Sequence, residues 1–183
     1  MVSLPCEPLD ADPAAVFDEF DPYGESSLLS GNLHRWDPVG KQYKTWYRFA
    51  PSEFGGPLSV GEGYWLWVYD YVSITYEGCC GRGERALNFP VAGWYIIGHP
   101  QFGDVDIRLD ACQAELGGSG RIRYCDVVPD WIADPLVGYD PAVQAYYYVT
   151  CGGLYTEHAL RPFEGYWAYA KEAGLTIYIP TPP

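Results

Sequence analysis

The chain is short of positive charge, of methionine and of long stretches free of helix breakers. Only 11 of its 183 residues are Lys or Arg, against 24 Asp or Glu, for a formal net charge of −13. That balance repels phosphate polymers and anionic surfaces, so neither nucleic acid nor membrane insertion is expected. Lysine occurs only at Lys41, Lys44 and Lys171, and the single methionine is Met1. No Asn-x-Ser/Thr sequon is present, which excludes N-linked glycans. The longest apolar candidate, Tyr64 to Tyr76, contains Asp70 and is too short to span a bilayer. Met1-Val2-Ser3-Leu4-Pro5 has neither the basic nor the apolar stretch of a secretory leader. With 21 Gly and 16 Pro, long helices and coiled coils are excluded as well.

Aromatic residues are plentiful, at 17% of the chain, within 48% hydrophobic residues overall. So much apolar surface rules out disorder, and Tyr and Trp favour strands. Six cysteines stand at Cys6, Cys79, Cys80, Cys112, Cys125 and Cys151. None forms a C-x-x-C and none has a histidine at zinc-finger spacing, so all six are disulfide candidates rather than metal ligands. Disulfides imply an oxidising compartment, outside the cell or on its surface. The pairing stays open, except that the adjacent Cys79 and Cys80 are expected to bond different partners.

Self-comparison shows a duplication. Leu33-His34-Arg35-Trp36-Asp37-Pro38 lies over Leu136-Val137-Gly138-Tyr139-Asp140-Pro141 at an offset of 103, which also sets Tyr43 on Tyr146. Glu62-Gly63-Tyr64-Trp65 recurs unchanged as Glu164-Gly165-Tyr166-Trp167 at an offset of 102. Val72-Ser73-Ile74 falls on Leu175-Thr176-Ile177, and Ser3-Leu4-Pro5 can be laid on Gly98-His99-Pro100. The chain therefore divides into a first β-rich repeat, 1–90, and a second, 91–183, which together form one compact unit. Each half reads as an opening strand, a short helix, a hairpin turning at Asp-Pro, a Gly-Tyr-Trp strand and a β-branched strand. Asp12-Pro13 opens the first helix over Ala14–Phe20, while the second half has a shorter candidate at 126–132. The second half also carries an inserted hairpin at about 105–125, its arms Val105–Asp110 and Arg121–Tyr124 joined by Gly117-Gly118-Ser119-Gly120. The fold class is mainly β with one or two short helices, two pseudo-repeated halves packed as a sandwich or barrel-like unit. Nothing but Met1 precedes Val2, so the first strand reads as cut short, an edge that another chain could extend.

Gly93-Trp94 with Ile97, Gly98 and Pro100, the Tyr139-Asp140-Pro141 hairpin and Gly61-Glu62-Gly63-Tyr64-Trp65 resemble duplicated β-rich modules of secreted bacterial and archaeal proteins. Those modules commonly sit at the C-terminal end of large surface proteins, near fibronectin type III-like or other sandwich domains. The resemblance implies a β-rich extracellular module and carries no catalytic residue with it. The six cysteines and the short first strand depart from it and suggest a stand-alone, disulfide-hardened version.

Chemistry-bearing motifs are sparse. His34, His99 and His158 are scattered, and no nucleophile elbow accompanies them. Glu62 and Glu164 are repeat-equivalent carboxylates that could face each other as a hydrolase pair. Asp10 and Asp12, and Asp104, Asp106 and Asp110, could supply oxygen ligands to calcium, although neither group has the EF-hand pattern. No other cofactor is expected. Gly63, Tyr64, Trp65, Gly165, Tyr166 and Trp167 read as repeat core anchors. Trp46, Tyr146, Tyr147 and Tyr148 read as outward-facing residues for a protein interface or for stacking on sugar. The leading functional reading is a non-catalytic extracellular structural module that self-associates into a filament or tube. Its partners would be copies of itself or another extracellular protein. A carbohydrate-binding module that holds polysaccharide is the first alternative, and a glycoside-type hydrolase the second.

Overall fold

A computed structural model describes residues 1–20, 28–153 and 157–182. In chain order the strands are β1 (Val2–Ser3), β2 (Glu7–Pro8), β3 (Leu33–Asp37), β4 (Gln42–Thr45), β5 (Gly63–Leu66), β6 (Gly78–Cys79), β7 (Arg85–Phe89) and β8 (Gly93–Gly98). They continue with β9 (Val105–Asp106), β10 (Gln113–Leu116), β11 (Ile122–Arg123), β12 (Leu136–Asp140), β13 (Ala145–Val149), β14 (Ala159–Leu160), β15 (Gly165–Ala170) and β16 (Leu175–Ile179). The fold is mainly β, its sheets are antiparallel and none closes into a barrel.

Two four-stranded sheets share one plan. The first runs β1-β5-β3-β4 and the other β8-β15-β12-β13. Their registers agree under the repeat offsets: Ser3 faces Gly63 as Gly98 faces Gly165, and Arg35 faces Tyr64 as Gly138 faces Tyr166. Both hairpins turn at the Asp-Pro pair, with Trp36 opposite Tyr43 and Tyr139 opposite Tyr146. The halves meet through reciprocal contacts. Val2 bridges to Glu164 and Ile97 bridges to Glu62. The β1 strand is thus paired on one side with β5 and bridged on to the other half.

The sheet β11-β10-β16-β7, which takes β7 from the end of the first repeat, covers the inner face of β8-β15-β12-β13, forming a sandwich. Leu136, Tyr166 and Ala168 from one sheet meet Ala114, Ile177 and Phe89 from the other. Burying such side chains contributes about 1.5–3 kcal/mol for each large one. The inserted hairpin is β10 and β11, shorter than the sequence suggests. Val105–Asp110 is not its other arm: β9 pairs with β14, and Arg108 folds back onto Asp106.

The first half covers its sheet with helical turns instead. Asp12 Oδ1 accepts from the Ala14 backbone N–H at 2.8 Å, capping α1 (Pro13–Val16). The helix gives way to a 3-10 turn at Asp18–Phe20, and Val16, Phe17 and Phe20 are buried against Leu33, Phe54 and Tyr64. The second helix expected at 126–132 is a 3-10 turn at Tyr124–Asp126. The β-branched segment Val72–Tyr76 forms no strand. Val72, Ile74 and Tyr76 still pack on the core at alternate positions, but no ladder partner lies beside them among the described residues. Its counterpart β16 is a strand because β10 and β7 flank it.

Two disulfides join Cys6 to Cys80 and Cys125 to Cys151. Cys79 and Cys112 are free, so four of the six candidates pair. Cys112 is completely buried, packs as a small apolar residue, and burial pushes its thiol up to about 12. No helix among the described residues is long and apolar enough to cross a membrane.

Candidate functional site

Strand alternation puts every second side chain of the two repeat-related sheets on a common outer face. On the first sheet these are His34, Trp36, Tyr43, Thr45 and Trp65, because His34 pairs with both Thr45 and Trp65, and Trp36 with Tyr43. On the second sheet they are Val137, Tyr139, Tyr146, Tyr148 and Trp167. The faces meet in matched aromatic contacts. Trp36 packs on Trp167 with ring centroids 5.4 Å apart, and the repeat-equivalent pair Tyr139 and Trp65 is also 5.4 Å apart. The Trp36 indole N–H donates to the Trp94 carbonyl oxygen at 2.7 Å, fastening the first hairpin to β8.

This junction leaves an open hollow of about 480 Å³ lined by Trp36, Tyr43, Trp94, Val137, Tyr146, Tyr148 and Trp167. Trp94, Tyr43 and Tyr146 are 48%, 46% and 54% exposed, a large area for rings left in contact with water. The lining has no formal charge, in a chain of net charge −13. The rings hold one another mostly edge to face, at 5.2 Å for Trp36 and Tyr43 and 5.9 Å for Trp94 and Trp167. That packing fixes their orientations before any ligand arrives. Partial burial raises the Tyr43 phenol, so it stays neutral through the physiological range.

The expected site residues divide between this groove and the core. Tyr146 and Tyr148 line the groove. Trp46 does not: at 4% exposure it packs with Leu33 and Phe54 in the first core, because it follows the outward-facing Thr45 at the end of β4 and so turns inward. Tyr147 also points away, its hydroxyl donating to Glu164. Its ring fills the space over Gly138, where an added Cβ would lie 2.2 Å from Tyr147 Cζ. The repeat-equivalent of Gly138 is Arg35, whose guanidinium contacts Glu62 at 3.0 Å. The core anchors split as well. Tyr64 and Tyr166 are completely buried and Gly63 and Gly165 are buried, whereas Trp65 and Trp167 alternate outward onto the groove face. Trp36, Tyr43 and Trp94, which are not among the four residues read as outward-facing, also line the groove. Their outward alternation on strands was the available signal.

The paired carboxylates serve the two cores separately. Tyr64 donates to Glu62 at 2.8 Å, and Tyr166 donates to Glu164 at 3.0 Å. Burial is the main cause that raises both phenols, and the adjacent carboxylates add to the effect. Neither carboxylate lines the aromatic groove. Four of the five candidate calcium ligands are likewise engaged. Asp12 caps α1, Asp10 accepts from the Asp12 N–H, Asp106 binds Arg108, and Asp110 contacts Arg123 at 3.4 Å. Among the described residues no group of three or more His, Cys, Asp or Glu could hold a metal ion. His34 Nδ1 lies 2.9 Å from Thr45 Oγ1 on the groove face, and burial lowers the pKa of its ring. His99 is completely buried, and His158 Nδ1 lies 2.6 Å from the Thr150 carbonyl oxygen.

Comparison of the chain with protein-family models, with curated proteins and with solved structures finds no match.

Proposed function

We propose that this chain is a non-catalytic extracellular binding module whose aromatic groove holds a neutral polysaccharide. The observation that carries this reading is the uncharged, pre-packed lining of Trp36, Trp94, Trp167, Tyr43, Tyr146 and Tyr148 on an otherwise strongly acidic chain. Pyranose rings present apolar C–H faces that stack on Trp and Tyr, and their hydroxyls need no ionic partner. An acidic polymer would be repelled by the whole chain, and a basic one would find no carboxylate in the lining. The two disulfides fit an oxidising location. The module is read as non-catalytic because Glu62 and Glu164 hold tyrosines in two separate cores, outside the groove.

The test is retention of the intact protein on insoluble cellulose, chitin, xylan and mannan, each at low and high salt. Retention on at least one, little changed by salt, is expected. Trp94→Ala and Tyr146→Ala each remove a half-exposed ring and should weaken retention roughly tenfold while leaving the fold intact. Free passage over all four matrices would overturn the reading.

Self-association into a surface polymer is the second reading, favoured by the outermost positions of β4 and β13 in their sheets. Light scattering and electron microscopy across a concentration series decide it, with a monomer free of fibres as the opposing result.

A further inference from the structure

A second hollow, of about 400 Å³, adjoins the first and shares Tyr43 with it. It is lined by His34, Tyr43, Thr45, Trp65 and Trp67. Its lining maps onto the second half by the repeat offsets. Tyr43 answers to Tyr146 and Trp65 to Trp167, so one tyrosine and one tryptophan are common to both hollows. Trp67 answers to Tyr169, which packs on Trp94 at 5.0 Å. Two positions have diverged in character. Where the second half has Val137 and Tyr148, directly opposed on β12 and β13, the first half has His34 and Thr45, directly opposed on β3 and β4. One hollow is thus almost wholly a stacking surface. Its duplicate keeps the stacking rings and adds an imidazole and a hydroxyl held together at 2.9 Å.

Resting on the polysaccharide reading, we infer that the two hollows are successive subsites of one groove, and that His34 and Thr45 make the first-half subsite the specificity-determining one. Duplication supplies two equivalent hollows, and the approximate twofold relation places them side by side with Tyr43 as their common wall. A sugar chain long enough to cross Tyr43 occupies both, and a short one settles on a single hollow. In a hydrophobic hollow, discrimination between sugars that differ in hydroxyl orientation is weak. A positioned imidazole and hydroxyl discriminate strongly, because a sugar that fails to match leaves them unpaired. Trp67, 62% exposed, is a stacking surface reachable by an incoming ring.

The experiment is titration calorimetry of the full chain with oligosaccharides of two to six units from cellulose, chitin, xylan and mannan. The expected result is one chain bound per protein, with affinity for one series rising at least tenfold between the dimer and the tetramer or longer oligomer. The double variant His34→Ala/Thr45→Ala, and separately Trp67→Ala, should erase that rise by weakening the longer oligomers at least fivefold more than the dimer, a margin of about 1 kcal/mol. The same double variant should also narrow the preference among the four series. His34→Gln/Thr45→Ser, which keeps hydrogen-bonding groups at both positions, should restore part of the rise. Thermal unfolding of each variant reports whether the fold is retained. Binding that is independent of chain length, or variants that weaken dimer and longer oligomers equally, overturns the two-subsite arrangement and leaves the polysaccharide reading standing. Absence of binding in all four series overturns both.

Discussion

The backbone N–H of Ser3 donates to the carbonyl oxygen of Phe163 at 2.9 Å, and the contact recurs in the opposite sense, with Gly98 donating to Gly61 at 2.9 Å. Ser3 answers to Gly98 and Phe163 to Gly61 under the repeat offsets, so each half closes its opening strand on the other's Glu-Gly turn. This exchange sets the two outer faces beside each other and so creates the groove. Neither half would form the groove alone, since Trp36 needs Trp167 and Tyr139 needs Trp65.

Gly98 is the tightest point of that junction. A Cβ there would lie 2.2 Å from the Glu62 carbonyl oxygen and 2.5 Å from Ser3 Cβ, against backbone that cannot swing aside. Gly98→Ala should lower unfolding free energy by about 1–3 kcal/mol, as overpacking of a filled site does. Gly152→Ala is the control, since nothing lies within 4 Å of a Cβ there. Urea midpoints compare the two, and an unchanged midpoint for Gly98→Ala would contradict this account of the junction.

The cysteine assignment predicts two alkylated sites after denaturation without reductant, at Cys79 and Cys112, and one without denaturation, at Cys79. Peptide mass mapping reads this directly. Cys6–Cys80 spans 74 positions and Cys125–Cys151 spans 26. On chain entropy alone they stabilise by about 4.4 and about 3.5 kcal/mol. Removing the pair Cys6 and Cys80 should therefore cost at least as much as removing Cys125 and Cys151.

Trp46 and Trp94 should separate stability from binding. Trp46→Ala opens the first core and should cost about 3–5 kcal/mol. Trp94→Ala removes a half-exposed ring and should cost far less stability, yet weaken polysaccharide retention. Equal losses of stability in the two variants would mean that the Trp94 ring serves the core.

Much of this arrangement was legible in the residues, and the remainder has identifiable causes. The hairpins at Leu33–Thr45 and Leu136–Val149 could be read because Asp-Pro marks both turns and the flanking segments repeat. The repeat also showed that Trp65 and Trp167 are equivalent, but equivalence says nothing about facing. In Tyr64-Trp65 and Tyr166-Trp167 both residues are large and aromatic, so no polar partner marks the wet side. Pairing with His34 and Val137 then decides which ring turns outward. The groove depends on that choice and on the meeting of the two halves, which no local pattern records. Val72–Tyr76 has strand-like alternation, yet a ladder needs a neighbour, and the inserted β10 supplies one only in the second half.

His99 predicts how stability varies with pH. It is completely buried at the position answering to Leu4, and Nε2–H donates to the Gly103 carbonyl oxygen at 2.8 Å. Nδ1 has no partner among the described residues. Burial dominates and lowers its pKa, while the hydrogen bond to Gly103 and the charges of Asp104 and Glu164 act the other way. In the unfolded chain the ring takes up a proton near its ordinary value of about 6.5, before the folded chain does. Stability from the neutral ring is therefore full above that value and is lost as pH falls from it toward the lower folded pKa. His99→Leu, which installs the side chain of its repeat partner, should flatten the fall in melting temperature between neutral and mildly acidic pH. If the variant melts with the same pH slope as the parent, the slope arises from a different group.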